Sequence, residues 1–208
     1  MDRYKETFET WNKVALLYQD KFMNLDLYNS SYRSFCTSID KQKAKILEIA
    51  CGPGNITQYL LTQRPDFDIF GIDIAPKMVE LAKQNNPTAN FSVMDCRQIN
   101  TLNEKYEGVI SGFCLPYLSE TESRKLISDA YEILNKNGVI YLSFVEGNPD
   151  KSEFKVNDKG RVFFYYHNLD NIKSYLENAK FTNIKVYKIR YKKSNKENEL
   201  HVILTGKK

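Results

Sequence analysis

The sequence predicts an α/β protein with a seven-stranded, mostly parallel sheet, helices on both faces, a C-terminal antiparallel hairpin and an N-terminal helical cap. Two observations carry this prediction. From Lys45 to Val145, short β-rich apolar runs alternate with segments of helical periodicity across short connections, the pattern of parallel strands joined by crossover helices. Beyond that point the pattern changes. TNIKVYKIRY (182–191) and ELHVILTGK (199–207) are separated only by KKSNKEN, which suffices for a hairpin and not for a crossover helix.

Each element has its own signal. Phe8, Trp11, Ala15, Tyr18 and Phe22 recur at spacings of three and four, a helical stripe, and a second helix is expected over 27–39. KILEIA (45–50) reads as the first strand, followed by a helix opening at Asn55. DIFGID (68–73) precedes PKMVELAKQN (76–85), where Pro76 suits a first helical turn. FSVMD (91–95) is a short strand before a helical turn near 97–102, and EGVISGF (107–113) is the fourth strand. In 119–134, Ser119 and Glu122 have the spacing of a capping box. NKNG (135–138) signals a helix stop, VIYLSFV (139–145) a fifth strand, and 169–178 a last helix. Residues 146–168 read as a long polar insertion ending in four aromatics and His167.

The bulk properties exclude several classes. With 208 residues, 42% apolar and 27% charged, the chain can bury a core as one domain and is unlike a disordered segment. A net charge of +4 does not call for nucleic acid, and the basic run IKVYKIRYKKSNK (184–196) reads as the solvated face of a strand and hairpin. Cys36, Cys51, Cys96 and Cys114 lack metal or redox spacing, and no metal is expected. MDRYKETFETW lacks the apolar core of a signal peptide, and no run approaches the ~18 apolar residues of a membrane span. A cytoplasmic protein with no membrane partner is expected.

In an open parallel sheet, ligands sit beyond the carboxyl ends of the strands where strand order reverses. The stretch ILEIACGPGN (46–55) places Gly52 and Gly54 there, and glycine lets backbone approach a ligand at a helix N-terminus. A phosphate loop requires Gly-Lys-Ser/Thr, but Gly54 is followed by Asn55-Ile56-Thr57. The dinucleotide fingerprint has a third glycine or alanine where this chain has Thr57, and it has no acid at the place of Glu48. Asp73 ends the second strand, where a carboxylate can accept from ribose hydroxyls. Asp95 ends the third, where it can accept from an adenine amino group. For both acids the plainer reading is a helix cap or turn.

ILEIACGPGNITQYL, FGIDIAPKMVELA, FSVMDCRQI, GVISGFCLPYLS and ILNKNGVIYLSF, in this order and spacing, resemble the class I S-adenosylmethionine-dependent methyltransferases, in particular the compact group acting mostly on small molecules. The resemblance implies a Rossmann-like fold in a single domain over 1–208. Residues 1–44 would form the helical cap, 45–145 the cofactor-binding core, and 146–208 an acceptor-side insertion and C-terminal hairpin. It implies S-adenosyl-L-methionine as cofactor. Glu48 would support the loop near the methionine end, and Gly52 and Gly54 would let backbone meet the cofactor. Asp73 would hold the ribose with Ile74 and Met78 beside the adenine. Asp95 would meet the adenine amino group, Cys96 the ring edge, and Phe113 would floor the methionine moiety. Two departures stand out: Ala50 occupies a place where glycine is usual, and Pro116-Tyr117 a place where this group often has histidine.

A sulfonium methyl donor needs mainly positioning, so one universal catalytic residue is not expected. Tyr18 is the candidate to fold over the cofactor, and His167 the candidate base; these two are the candidate catalytic residues. Tyr117, Tyr165, Tyr166 and His167 are the candidate acceptor-site residues, although FFYYH also reads as a packed strand with His167 capping the next helix. FCLPYL faintly resembles the signature of amino-methylating DNA enzymes, but Cys114 and Leu115 replace its polar residue and first proline. The expected partner is a small-molecule acceptor without nucleic acid, bound by a monomer or homodimer. The alternatives are an RNA or protein methyltransferase, or a non-catalytic S-adenosylmethionine-binding module.

Overall fold

The computed structural model describes residues 3–193 and 198–208. The cap consists of α1 (Arg3–Lys13), α2 (Ala15–Phe22) and α3 (Asn29–Thr37). The stripe from Phe8 to Phe22 is divided between two helices, because Val14 interrupts regular helical geometry at φ −99°, ψ 10°. There follow β1 (Lys45–Ile49), α4 (Asn55–Gln63), β2 (Asp68–Asp73), α5 (Pro76–Asn85), β3 (Asn90–Val93), β4 (Tyr106–Ser111), α6 (Glu120–Ile133) and β5 (Leu134–Val145). A small hairpin, β6 (Glu153–Asn157) and β7 (Gly160–Phe164), precedes α7 (Leu169–Asn178), β8 (Thr182–Lys192) and β9 (Asn198–Lys207).

The main sheet has seven strands in the order β3-β2-β1-β4-β5-β9-β8. The first five are parallel, and β9 and β8 are antiparallel as the short polar connection requires. Strand order reverses between β1 and β4, so the loops after these strands border the crevice where ligands bind in such sheets. Alternation along β1 divides the core between two layers. Leu47 and Ile49 pack with Leu126 and Ile127 of α6, while Ile46 packs with Phe35 of α3 and Leu60 of α4. Tyr141, fully buried in the second layer, places its hydroxyl 3.1 Å from Ser31 Oγ. The capping box at α6 is present, with Ser119 N donating to Glu122 Oε2 at 2.8 Å.

Two elements differ from expectation. The NKNG stretch lies inside β5, which starts at Leu134 directly after α6 and carries a register shift against β4. The insertion is not a loop: Phe154 meets Phe163 across β6 and β7 at a ring separation of 5.0 Å. The outer edge of β7 is satisfied by α1. Thr7 Oγ1 accepts from Phe163 N (3.0 Å), Thr10 Oγ1 donates to Arg161 O (2.9 Å), and Glu6 pairs with Arg161. Covering a strand edge with helix side chains meets its backbone requirements without a further strand. The basic segment maps partly onto β8, where Lys185, Lys188, Arg190 and Lys192 are exposed; 194–196 lie outside the described residues.

Substituting Thr7→Val and Thr10→Val removes both seam bonds, at about 1 kcal/mol each. The expected outcome is faster amide exchange at Phe163 with β1 and β4 unchanged, read by hydrogen exchange.

Candidate active site

The site begins with the backbone after β1. Ala50 (φ 56°), Gly52 (φ 54°) and Gly54 (φ 85°) are left-handed. Such a conformation costs a residue with Cβ ~1–2 kcal/mol, which explains why glycine suits position 50. Gly52 N donates to Asp73 Oδ2 at 3.0 Å, and Ala75 N donates to Asp73 Oδ1 at 2.9 Å. Asp73 thereby ties the ends of β1 and β2 together while its side chain lines a cavity. Burial, working against the N–H donors of Ala75, Gly52 and Ile74, pushes its carboxyl up to about 6. Gly54 serves packing instead: a Cβ there would lie 2.3 Å from Asn86 Nδ2, which donates to Gly54 O at 3.0 Å.

This first cavity is lined by Tyr18, Ala50, Gly52, Asp73, Ile74, Met78, Cys96 and Phe113, which the sequence offers as cofactor contacts, joined by Met94, Gly112 and Cys114. Tyr4, Thr7, Phe8 and Trp11 of α1 complete its lining. A second cavity shares Trp11, Tyr18, Ala50, Gly112, Phe113 and Tyr117 with the first. It extends to Tyr28, Tyr32, Phe164, Tyr191, Glu199 and His201. In the common wall, Trp11 Nε1 is buried without a hydrogen-bond partner among the described residues. Phe113 is held left-handed (φ 55°), with its N–H donating to Ser143 Oγ at 2.8 Å.

Several expected site residues are elsewhere. Glu48 is fully buried on the α3/α4 side of β1, accepts from Thr57 Oγ1 and has no partner at Oε1 among the described residues. Burial, reinforced by the Asp73 charge and opposed by the Thr57 bonds, pushes its carboxyl up to about 8. Asp95 does not line the cavity. It accepts from Arg97 N (2.9 Å) as cap of the following 3₁₀ turn, is paired with the Arg97 guanidinium (2.6 Å), and accepts from Tyr4 Oη (3.3 Å). Gly54 is also absent from the lining.

Tyr165, Tyr166 and His167 line a separate cleft with Arg3 and Glu120, not either cavity. The cause is the return of the chain from β7: Tyr165 N donates to Pro116 O (2.7 Å) and Gly147 N to His167 O (3.1 Å). His167 Nε2 is 2.8 Å from Leu115 O, and burial lowers the pKa of its ring. Of the aromatic run, Phe164 reaches the second cavity. Tyr28, Tyr191, Glu199 and His201 were missed. Their signal was the i, i+2 spacing of Glu199 and His201 on a strand returning antiparallel to β5, which sets His201 opposite Val145 at the carboxyl end of that strand.

Residues 46–138 match the family described as Methyltransferase domain. The chain is 32% identical over 105 residues to a malonyl-[acyl-carrier protein] O-methyltransferase of Acetivibrio thermocellus, covering 50% of this chain and 36% of that protein. It is 26% identical over 149 residues to a carboxy-S-adenosyl-L-methionine synthase of Campylobacter hominis, covering 67% and 62%. Magnesium protoporphyrin IX methyltransferase from Synechocystis PCC 6803, solved with bound SAH, has a TM-score of 0.75 over 100% of both chains at 16% identity, a likeness of fold. The match to the methyltransferase-domain family thus covers the stretch from β1 into β5, and the likeness to the Synechocystis enzyme is one of fold. The chain spans between about a third and two thirds of the length of these curated relatives.

Because the folded-state pKa of Glu48 is raised, the folded protein retains a proton there that the unfolded chain releases, and stability falls as pH rises from about 4.5 towards about 8. Glu48→Gln removes that dependence. Urea denaturation at pH values across this window should show wild type losing stability relative to the variant as pH increases.

Proposed function

We propose that the chain is an S-adenosylmethionine-dependent methyltransferase acting on a small-molecule acceptor. The observation that carries this reading is the pair of cavities with a common wall at Ala50, Gly112 and Phe113, one containing a buried carboxylate and the other rich in aromatic rings. The residues of the first cavity fit the cofactor. Asp73 accepts from Gly52 N at one oxygen and from Ala75 N at the other, with Ile74 N as a third donor, which leaves the carboxylate lone-pair capacity for a ribose hydroxyl. Ile74, Met78 and Met94 offer an apolar slot for the adenine. Trp11, Tyr18 and Phe113 present aromatic rings, which favour a cation. When bound, S-adenosylmethionine supplies a methyl group made electrophilic by its sulfonium charge.

The chain's own part is to orient the acceptor and keep water away, and the aromatic lining of the second cavity suits a flat apolar molecule. The exposed Lys185 and Lys188 line neither cavity, which supports a small acceptor over a polymeric one. All four cysteines are free and buried, as suits a reducing cytoplasm. Among the described residues no helix is long and apolar enough to cross a membrane. The protein acts as a monomer or homodimer without nucleic acid.

Calorimetry with S-adenosylmethionine tests the cofactor assignment: binding is expected, and its absence sinks the methyltransferase reading. Asp73→Ala should weaken binding about tenfold or more, and unchanged affinity in a folded variant would refute the ribose role. The ionised carboxylate is the acceptor, so affinity should fall as pH drops through about 6 and stay level above it. Asp73→Asn should abolish that slope. A screen of metabolites with labelled S-adenosylmethionine then reads which compound gains the methyl.

A further inference from the structure

We infer that Tyr28, His201 and Glu199 form a proton relay in the second cavity, and that the acceptor is a flat hydroxyl compound that arrives protonated. This rests on the methyltransferase reading and adds to it the acceptor class and the fate of the proton.

The geometry is a chain of bonds. Tyr28 Oη lies 2.7 Å from His201 Nδ1, His201 Nε2 lies 3.4 Å from Glu199 Oε2, and Lys193 Nζ lies 2.6 Å from Glu199 Oε1. Tyr28, Glu199 and His201 all line the cavity. The direction of the bonds follows from the carboxylate. The hydrogen bond from His201, and then Lys193, lower the Glu199 carboxyl to about 2, so it is ionised and can only accept. Nε2 therefore carries the hydrogen and Nδ1 presents a lone pair, to which the Tyr28 hydroxyl donates. The phenolic oxygen keeps its own lone pairs for a proton from the cavity.

The ring is held for this role. Tyr191 stacks on His201 at 4.8 Å and 12°, and Phe113 meets its edge at 4.8 Å. Burial, followed by the nearby Tyr191, Tyr18, Tyr141 and Glu199, holds the Tyr28 phenol well above its usual value. Tyr28 thus does not ionise alone; it passes a proton on as it receives one. His167, the other histidine, bonds to a backbone carbonyl and lines neither cavity.

The acceptor O–H proton moves to Tyr28 Oη while the proton of Tyr28 moves to His201 Nδ1, and Glu199 stabilises the resulting imidazolium. The O–H electron pair stays on the acceptor oxygen, which forms the new C–O bond, and the sulfur keeps the pair of the bond that breaks. His201 afterwards returns its proton to water. Such a relay matters for a hydroxyl of high pKa and is superfluous for a thiol that ionises unaided.

Nitrogen-15 NMR of the two histidines tests the bond directions independently of activity. His201 should be the Nε2–H tautomer, and Tyr28→Phe should shift its Nδ1 signal while His167 stays unchanged. An Nδ1–H tautomer, or an unmoved signal, overturns the relay. With 2-naphthol as probe, Tyr28→Phe and His201→Gln should each lower kcat about a hundredfold or more, with unaltered S-adenosylmethionine affinity by calorimetry. Methylation of 2-naphthalenethiol should stay within about threefold of wild type, since no general base is needed. Glu199→Gln should move the acid limb of the naphthol pH profile, whose surrounding titratable groups are Tyr28, Tyr191, Glu199 and Lys193, to lower pH. Equal losses on both probes would make the residues merely structural, and no naphthol methylation by a wild type that binds cofactor would remove the hydroxyl class. A wild type that binds no cofactor, with the expected tautomer intact, would instead fail the methyltransferase reading.

Discussion

The hydrogen bond from the Gly52 amide to the Asp73 carboxylate is the constraint around which the crevice is built. It fixes the left-handed turn after β1 against the end of β2, so the loop cannot drift into the space a ligand needs. The cost is a buried carboxylate, partly compensated by three backbone N–H donors. A second acid, Glu48, lies in the same neighbourhood, and burial resolves the conflict by holding its proton at neutral pH. One carboxyl is therefore a neutral structural group under the loop. The other remains available as an acceptor at the cavity wall.

Around that fixed floor, the remaining walls come from distant parts of the chain. The side of α1 carrying Thr7 and Thr10 binds the edge of β7, while Tyr4, Phe8 and Trp11 line the first cavity. The attachment to β7 consists of side-chain hydrogen bonds, one ion pair and the Arg3 guanidinium over the Phe163 ring. Segments attached in this way open at lower free energy than the strands beneath them. The antiparallel hairpin contributes differently. By running β9 back along β5, it brings Glu199 and His201 to the carboxyl end of the parallel strands, where the crossover helices do not reach.

How much could be read in advance depended on range. The parallel alternation, the capping box at Ser119 and Glu122, the terminal hairpin and the line of Gly52, Asp73 and Ile74 were legible because each rests on local spacing or on one strand end. The β6–β7 hairpin was not, since α1 meets the edge demands of β7 across most of the chain length. Asp95 and His167 show the same limit. Both have residue types suited to chemistry, yet Arg97 takes up the first and the Leu115 carbonyl the second. His201, equally plain in sequence, has a cavity before it only because Tyr28 and Tyr191 come from other elements.

The sequence by itself determined the fold class and the glycine-and-acid loop at the crevice, because hydrophobic period, turn chemistry and strand-end acids act over a few residues. Only the tertiary structure decided which titratable groups face the cavities and which are consumed by structural bonds. That outcome depends on burial and on partners tens of residues away, and no local pattern records either.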